Sequence, residues 1–341
     1  MDYVLGDILS KDGFSGGYIG FECNKIVEIG AGNPPKKPQC KGLIVPLVIN
    51  AHTHIGDSFI ATKNIDLPKD VEQLVAPPHG LKHQLLREAS DDDIIMGMAR
   101  SLNLMKNSGT MLFCDFREEG IAGIHQLQRA LRVGGISCCI FARPATLTYD
   151  AAEMNLLVAP AQGIGVSSLS DWDYDELAKV ARHTKKRNKL FALHASERVR
   201  EDIDRILGLE PDILIHMIHA TKSDFIKVRE AGIPIVVCPR SNAFYGLQPP
   251  LGLMKRVGVS LMLGTDNAMI ASPNVVDEVK YVMRKETLFS LEELLMMITY
   301  TPRKVLNWDD HILGPGSPAN FVVLDRESLQ PLYVSMVYKE G

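Results

Sequence analysis

Residues 43–54 read LIVPLVINAHTH, an apolar run that ends in two histidines, His52 and His54. Branched apolar residues dominate the run, so it predicts a buried strand over Leu43–Asn50. Side chains two positions apart leave the same face of an extended chain, so both imidazoles can reach one metal ion. The pair alone is weak evidence for a metal site, because histidines that follow a strand often face solvent without binding a metal.

The rest of the chain continues this pattern. Short apolar runs alternate with helix-length segments, which is typical of βα units around a parallel sheet. Eight strands fit a (β/α)8 TIM barrel, which usually takes about 250 residues, and this chain has 341. The predicted strands are Leu43–Asn50, Thr110–Asp115, Ile136–Arg143, Gly163–Ser167, Lys189–His194, Ile213–His216, Pro234–Cys238 and Ser260–Thr265.

Helical periodicity or a capping residue marks the segments between and beyond these strands. The predicted helices are Asp91–Lys106, Glu118–Arg132, Thr148–Val158, Asp173–Arg187, Glu197–Leu207, Ser223–Ala231, Pro249–Val257, Val275–Glu286 and Leu291–Thr299. Short strands are also predicted near the two chain ends, at Gly17–Phe21, Lys25–Ile29, Asn320–Leu324 and Leu332–Tyr338.

Three more polar residues close predicted strands. His194 ends the run LFALH, His216 ends DILIH, and Asp266 follows SLMLGT. Catalytic groups of a barrel collect at the carboxyl ends of its strands, so these residues are expected beside His52 and His54. Asp266 by itself would read as a turn or capping residue. Convergence of four imidazoles and a carboxylate favours a metal site, since imidazole is a natural ligand of zinc and iron.

Together these motifs resemble the amidohydrolase superfamily, in its cytosine deaminase, guanine deaminase and chlorohydrolase-like branch. The resemblance covers nearly the whole chain. It departs from the family's usual pattern at Leu47, where a glycine is common, and at Asn320, where an acid is common. The matching motifs are His52-Thr-His54, His194-Ala-Ser-Glu197, His216-Met-Ile-His219, Cys238-Pro-Arg-Ser-Asn242 and Gly264-Thr265-Asp266.

The resemblance implies a metal-dependent hydrolase of carbon–nitrogen bonds other than peptide bonds. Residues 1–42 and 316–341 are then expected to form a small composite β layer, and residues 43–315 the barrel domain. One divalent ion is expected, zinc first and iron as the alternative, because the strand-four run GIGVSSLSD lacks the lysine that bridges two metals in binuclear members. Its expected ligands are His52, His54, His194 and Asp266.

The resemblance also implies the catalytic roles. Glu197 would move a proton between water and substrate, His216 would stabilise developing charge, and Asp266 could also accept a proton. The first expectation is hydrolytic deamination of an aminated, nucleobase- or nucleoside-like heterocycle by metal-activated hydroxide. The alternatives are a cyclic amide hydrolase, as in imidazolonepropionase-like relatives, and a catalytically silent structural relative.

Substrate contacts are harder to predict. Arg143, Arg240 and Asn242 follow predicted strands and are candidates for contacts, and Arg143 would suit an anionic group. Residues 76–83, APPHGLKH, form a proline-bearing loop that could cover the site as a lid. His219 is expected to be a packed histidine rather than a member of the site.

Composition narrows the partners. The net charge is −4 and the basic residues are dispersed, which argues against nucleic acid. The start of the chain lacks the basic and apolar stretches of a signal peptide, and no apolar run is long enough for a bilayer. The six cysteines are expected to be free thiols. We therefore expect a cytoplasmic enzyme with a small-molecule substrate and no membrane partner; homo-oligomerisation is left open.

Overall fold

The computed structural model describes residues 1–308 and 313–337. The chain divides into two compact units. The first contains Met1–Ile49, Asn103–Leu112 and Asn274–Gly341, and the second contains Asn50–Leu102 and Phe113–Pro273. The boundaries predicted from sequence, 1–42 with 316–341 against 43–315, remain a proposal.

The first unit is built on a mixed sheet. Within the described residues this sheet has six strands in the order β15-β14-β4-β1-β2-β3. Its core is apolar, and it includes Val4, Ile19, Ile44 and Phe321. With strands numbered in chain order, they are β1 Asp2–Ser10, β2 Gly13–Glu22, β3 Lys25–Gly30, β4 Lys41–Pro46, β14 Phe321–Leu324 and β15 Pro331–Ser335.

A second sheet of nine strands, counted over the described chain, has the order β12-β11-β10-β9-β8-β7-β6-β5-β13. The pairs β5–β13, β7–β8, β8–β9, β9–β10, β10–β11 and β11–β12 are parallel, and strands such as β8 and β10 are buried along their whole length, as expected when both faces are covered. The strands are β5 Val48–His54, β6 Thr110–Arg117, β7 Ser137–Ala142, β8 Gly163–Val166, β9 Leu190–Ala195, β10 Ile213–His216, β11 Ile235–Val237, β12 Leu261–Leu263 and β13 Asp266–Asn267.

The two ends of this sheet are linked through one short segment. Strand β12 pairs with β11, and β13, which begins three residues after β12 ends, pairs with β5. Hydrogen bonds also hold the turn between them, because the Gly264 N–H donates to the carbonyl oxygen of Val237 and the Thr265 N–H donates to the carbonyl oxygen of His52. The chain therefore has an α/β fold in which residues 261–267 hydrogen-bond to β11 on one side and to β5 on the other.

Helices separate most strands of the parallel sheet. Several begin at a capping carboxylate, as α6 does at Asp173 and α5 at Asp150. Every described helix is too short or too polar to cross a membrane. The helices are α1 Val71–Val75, α2 Leu81–Glu88, α3 Asp91–Asn107, α4 Gly120–Gly134, α5 Ala151–Val158, α6 Tyr174–Lys186, α7 Ile203–Leu207, α8 Lys222–Glu230, α9 Pro239–Phe244, α10 Leu251–Val257, α11 Val276–Lys285, α12 Leu291–Met296 and α13 Tyr300–Val305.

Two predicted elements differ from the structure. The strand predicted over Leu43–Asn50 is two strands, because β4 pairs in the six-stranded sheet and β5 in the nine-stranded one. The helix predicted over Glu197–Leu207 begins only at Ile203. Glu201 instead accepts hydrogen bonds from the Ser170 and Ser196 N–H groups, which holds the preceding residues in a turn. The end of the predicted strand Leu332–Tyr338 lies outside the described residues.

Candidate metal centre

The histidines and the aspartate predicted as ligands lie at strand ends. His52 and His54 end β5, His194 lies in β9, and Asp266 opens β13, where it pairs with Thr53 of β5. Parallel strands present their carboxyl ends on one edge, so the four side chains meet there. All are buried, with His194 the most exposed at 7%.

Gly264 explains how the last strand comes so close to the first histidine. A Cβ atom added at this position would lie 2.6 Å from the His52 Cβ and 2.8 Å from its backbone nitrogen. Any larger residue would push the two strands apart. The glycine of the motif Gly264-Thr265-Asp266 is therefore a packing requirement of the site.

Three of the distances between the donor atoms of these residues match those expected between ligands of one ion. His52 Nε2 lies 3.3 Å from His194 Nε2 and 3.3 Å from Asp266 Oδ1, and His54 Nε2 lies 3.5 Å from the same Oδ1. Ligands about 2.1 Å from a tetrahedral zinc ion lie about 3.4 Å from one another. Three imidazoles and a carboxylate are also the donor types that zinc and iron accept. The residues present therefore fit a divalent metal.

The far sides of two of these residues are anchored. His194 Nδ1 lies 2.7 Å from the carbonyl oxygen of Val166, and the Ser241 hydroxyl donates to Asp266 Oδ2 at 2.6 Å. Such contacts fix the orientation of a ligand and the ring nitrogen that carries the proton. They leave His194 Nε2 and Asp266 Oδ1 facing the cluster.

Burial determines the charge of the histidines. It lowers the pKa of His52 to about 4, and burial together with the nearby Lys82 lowers the pKa of His54 to about 3. Both rings are therefore neutral at physiological pH and have a lone pair to offer. Burial alone would raise the pKa of Asp266, but the neighbouring histidines hold it well below its usual range.

A second group of polar residues lies beside the cluster. Glu197 Oε1 lies 3.4 Å from His216 Nε2, and the Asn242 side-chain nitrogen lies 3.4 Å from both Glu197 Oε1 and His216 Nδ1. Burial raises the pKa of Glu197, which brings it closer to the range in which a carboxyl group can both accept and release a proton. Glu197, His216 and Asp266 also have ligand atoms within 4.8 Å of one another.

The backbone is strained where these groups are presented. His216, Met217 and Asp266 have φ values of 72°, 56° and 60°, in the left-handed region that favours glycine. Such conformations cost about 1–3 kcal/mol each and persist only where the surroundings enforce them. The strain coincides with the two strand ends that carry His216 and Asp266.

A cavity opens onto both groups. Its wall is apolar at Val71, Val75 and Ala76 and cationic at Lys82, Arg143 and Arg198. Arg143 is 6% exposed, and its Nε has no hydrogen-bond partner among the described residues. The cavity therefore offers hydrogen-bond donors beside both groups.

The other predicted contact residues have different surroundings. Asn242 is fully buried between Glu197 and His216, whereas Arg240 donates to the carbonyl oxygen of Ser272 at 2.6 Å. His219 is exposed, so the expectation that it is packed is wrong. The substrate-contact roles of Arg143, Arg240 and Asn242 stay predictions.

Comparison with known proteins decides the family. The model of the amidohydrolase family matches residues 43–340. The chain belongs to this family. An amidohydrolase of this kind is a metal-dependent hydrolase, and the buried histidines and aspartate include groups able to hold a metal, such as His52 with His54 and Asp266, or His52 with His194 and His216.

Relatives of this amidohydrolase include deaminases. It is 34% identical over 291 residues to an uncharacterized protein of Methanocaldococcus jannaschii, covering 79% of this chain and 75% of that protein. It is 26% identical over 330 residues to the 5-methylthioadenosine/S-adenosylhomocysteine deaminase of Pyrococcus abyssi, covering 84% and 74%. In fold it is similar to the aminofutalosine deaminase of Helicobacter pylori, with a TM-score of 0.72 and 15% identity over 95% of this chain and 92% of that one.

Lys82 and Glu118 lie beside the amidohydrolase site, and from sequence they were only weak candidates for contacts at the barrel mouth. The Lys82 ammonium lies 2.7 Å from Glu118 Oε1 and 3.1 Å from Asn267 Oδ1, although both charged residues resemble ordinary loop residues in the sequence. Burial alone would raise the pKa of Glu118, but Lys82 and His54 hold it well below its usual range. Lys82 lies in α2, so residues 81–83 of the predicted 76–83 loop are helical. The sequence signal for Glu118 was its position directly after a predicted strand.

Proposed function

We propose that this amidohydrolase is a mononuclear deaminase that hydrolyses the exocyclic C–N bond of an aminated heterocycle. The observation that carries the proposal is the set of three donor–donor distances of 3.3–3.5 Å among the buried histidines and Asp266, beside the Glu197–His216 pair and at one cavity. Zinc is the proposed ion, with iron as the alternative. His52, His54, His194 and Asp266 are its proposed ligands.

The proposal includes the finer fold. The bonding of residues 261–267 to both β11 and β5 supports a closed (β/α)8 barrel over residues 43–315. The six-stranded sheet, which uses both chain ends, supports a composite β layer that includes residues 1–42 and 316–341. Catalytic groups on βα loops are the usual arrangement for such a barrel.

A divalent ion held by these residues would supply a water that is acidic enough to act as a nucleophile near neutral pH. Glu197 would accept a proton from the attacking water and deliver it to the amino nitrogen of the substrate, which would then leave as ammonia. His216 donates a hydrogen bond to the oxygen that attacks the ring carbon, and Asn242 holds Glu197 and His216 together. A C–O bond forms, the exocyclic C–N bond breaks, and the ring stays closed.

The proposed substrate is a small, nucleobase- or nucleoside-like molecule. The curated relative from Pyrococcus abyssi is named as a deaminase of 5-methylthioadenosine and S-adenosylhomocysteine, which supports this class. Arg143 lines the cavity, which supports a contact with an acceptor or anionic group of the substrate, and Arg240 is kept as a second candidate. We further propose a cytoplasmic enzyme without a nucleic-acid or membrane partner.

The experiment is a screen for ammonia release by metal-loaded enzyme against purines, pyrimidines, their nucleosides and triazines. Glu197→Gln is the matched control, because it keeps the shape of the site and removes the proton-transfer group. Ammonia release by the wild type but not by Glu197→Gln supports deamination. Ring opening of a cyclic amide without ammonia release supports the cyclic amide hydrolase. A metal-loaded protein that acts neither on the aminated heterocycles nor on cyclic amides supports a catalytically silent structural relative.

A further inference from the structure

Glu118 is a buried carboxylate with no part in the proposed ligand set or in proton transfer. It follows β6 directly, and its side chain is 2% exposed. One oxygen, Oε1, lies 2.6 Å from His54 Nδ1 and 2.7 Å from the Lys82 ammonium. A carboxylate is kept in such a place only if its neighbours compensate for the loss of water.

The two nitrogens of His54 face different groups. Nε2 faces the cluster, 3.5 Å from Asp266 Oδ1, while Nδ1 faces Glu118. If Nε2 offers its lone pair to a metal, Nδ1 must carry the proton of the neutral ring, and Glu118 Oε1 is the carboxylate oxygen beside that proton, 2.6 Å from Nδ1 although not aligned with the ring N–H in this structure. The carboxylate thus selects the tautomer that leaves Nε2 free.

Lys82 is the counter-charge of this carboxylate. Its ammonium also lies 3.1 Å from Oδ1 of Asn267, the residue that follows Asp266. Arg117 is more distant, with its NH2 nitrogen 3.9 Å from Glu118 Oε2. The Lys82 ammonium, 2.7 Å from Oε1, thus gives this buried carboxylate a close partner of opposite charge.

We propose that Glu118 is a positioning residue that fixes the tautomer and the ring orientation of His54 for metal binding, with Lys82 as its counter-charge. Two of the other proposed ligands have uncharged partners for this purpose, Val166 for His194 and Ser241 for Asp266. The inference rests on the metal site of the proposed function but does not depend on the identity of the substrate.

The test is the zinc affinity of Glu118→Gln, measured by competition with a chromophoric chelator, with Glu119→Gln as the matched control. Glu119 is the next residue along the chain and is half-buried. Loss of a hydrogen-bond partner behind a metal ligand typically weakens metal binding about 10–100-fold. We expect that loss for Glu118→Gln and none for Glu119→Gln. Cobalt(II) substituted into Glu118→Gln should show an altered visible spectrum, since the His54 ring is no longer held.

Zinc bound by Glu118→Gln as tightly as by the wild type, with an unchanged cobalt spectrum, overturns the inference. If circular dichroism shows that Glu118→Gln does not fold, the double variant Glu118→Gln with Lys82→Gln takes its place, because it buries no unpaired charge. Failure of the proposed function looks different: no substrate releases ammonia, while the zinc affinities still separate Glu118→Gln from Glu119→Gln.

Discussion

The strands of the two sheets are buried for different reasons. In the six-stranded sheet, β14 is apolar along its whole length, and Phe321 packs edge-on against Phe21 with ring centroids 5.3 Å apart. In the nine-stranded sheet, β5 is just as buried, yet it ends in His52 and His54. Strand β14 buries only apolar side chains, whereas β5 also buries polar side chains, which lose their hydration.

This difference separates stability from function. Apolar burial stabilises a fold by about 25 cal/mol per Å², whereas a buried polar group without a partner costs free energy. His52 Nδ1 and Asn242 Oδ1 are buried without a hydrogen-bond partner among the described residues. The ends of the parallel strands therefore carry groups whose retention is best explained by a ligand.

The largest expected effect is on turnover. Glu197→Gln should lower kcat by about 10²–10⁴-fold, because the amide cannot accept the proton that the carboxylate transfers. Metal content should not change, since Glu197 is not a proposed ligand. Steady-state kinetics on the best substrate and elemental analysis of the same preparation check both statements; unchanged turnover would contradict the role of Glu197.

A substitution in the apolar core of the six-stranded sheet should change the stability of the protein and leave its metal binding unchanged. Phe321→Ala should lower the free energy of unfolding by about 3–5 kcal/mol, because it removes a buried ring and leaves a cavity. Zinc bound per folded molecule should stay as in the wild type. Urea denaturation gives the first quantity, with the exposed Leu332 changed to Ala as a control expected to have little effect.

A smaller effect is expected from Asp224, which pairs with Arg200 through two hydrogen bonds at the start of α8. These bonds lower its pKa to about 2. The stabilisation is therefore complete above pH about 4 and is lost as the pH falls towards 2. It should amount to about 1 kcal/mol, since Arg200 is half-exposed and screened.

Asp224→Asn tests this pairing. Its free energy of unfolding should depend less on pH than that of the wild type between pH about 4 and about 2. Thermal unfolding scans across this range check the slope. Parallel curves for the two proteins would show that the pair contributes nothing to acid stability.

The smallest effect is expected where charges remain in water. Arg129 lies 3.6 Å from Asp91, with both side chains more than half exposed. Arg129→Ala should change the free energy of unfolding by less than about 1 kcal/mol. A larger loss in the same urea experiment would mean that surface pairs matter as much here as buried groups.

Much of the parallel sheet could be predicted from the sequence. Its strands are continuous apolar runs, and Ile213–His216 is both the predicted and the observed strand. A histidine that closes such a run lies near the carboxyl end of the strand, where the catalytic groups of a barrel collect, which is why His194 and His216 were recognisable. The family resemblance then linked positions that are distant in the chain.

The remaining features depend on long-range contacts. Lys82 and Glu118 look like loop charges until α2 is folded against the end of β6, and burial is a property of that contact rather than of either residue. Strand β1 was not predicted, because acids and a glycine interrupt its apolar pattern and its hydrogen-bond partners are β2 and β4. The helix predicted to begin at Glu197 begins later, because the Glu201 carboxylate accepts hydrogen bonds from the N–H groups of Ser170 and Ser196.

The most direct test of the central claim is the metal content of purified wild type, His52→Ala and Asp266→Ala, measured by elemental analysis after removal of loosely bound ions. The account predicts one tightly bound divalent ion per wild-type chain and a large loss in both variants, with folding preserved in circular dichroism. Stoichiometric metal retained by folded His52→Ala and Asp266→Ala would contradict it.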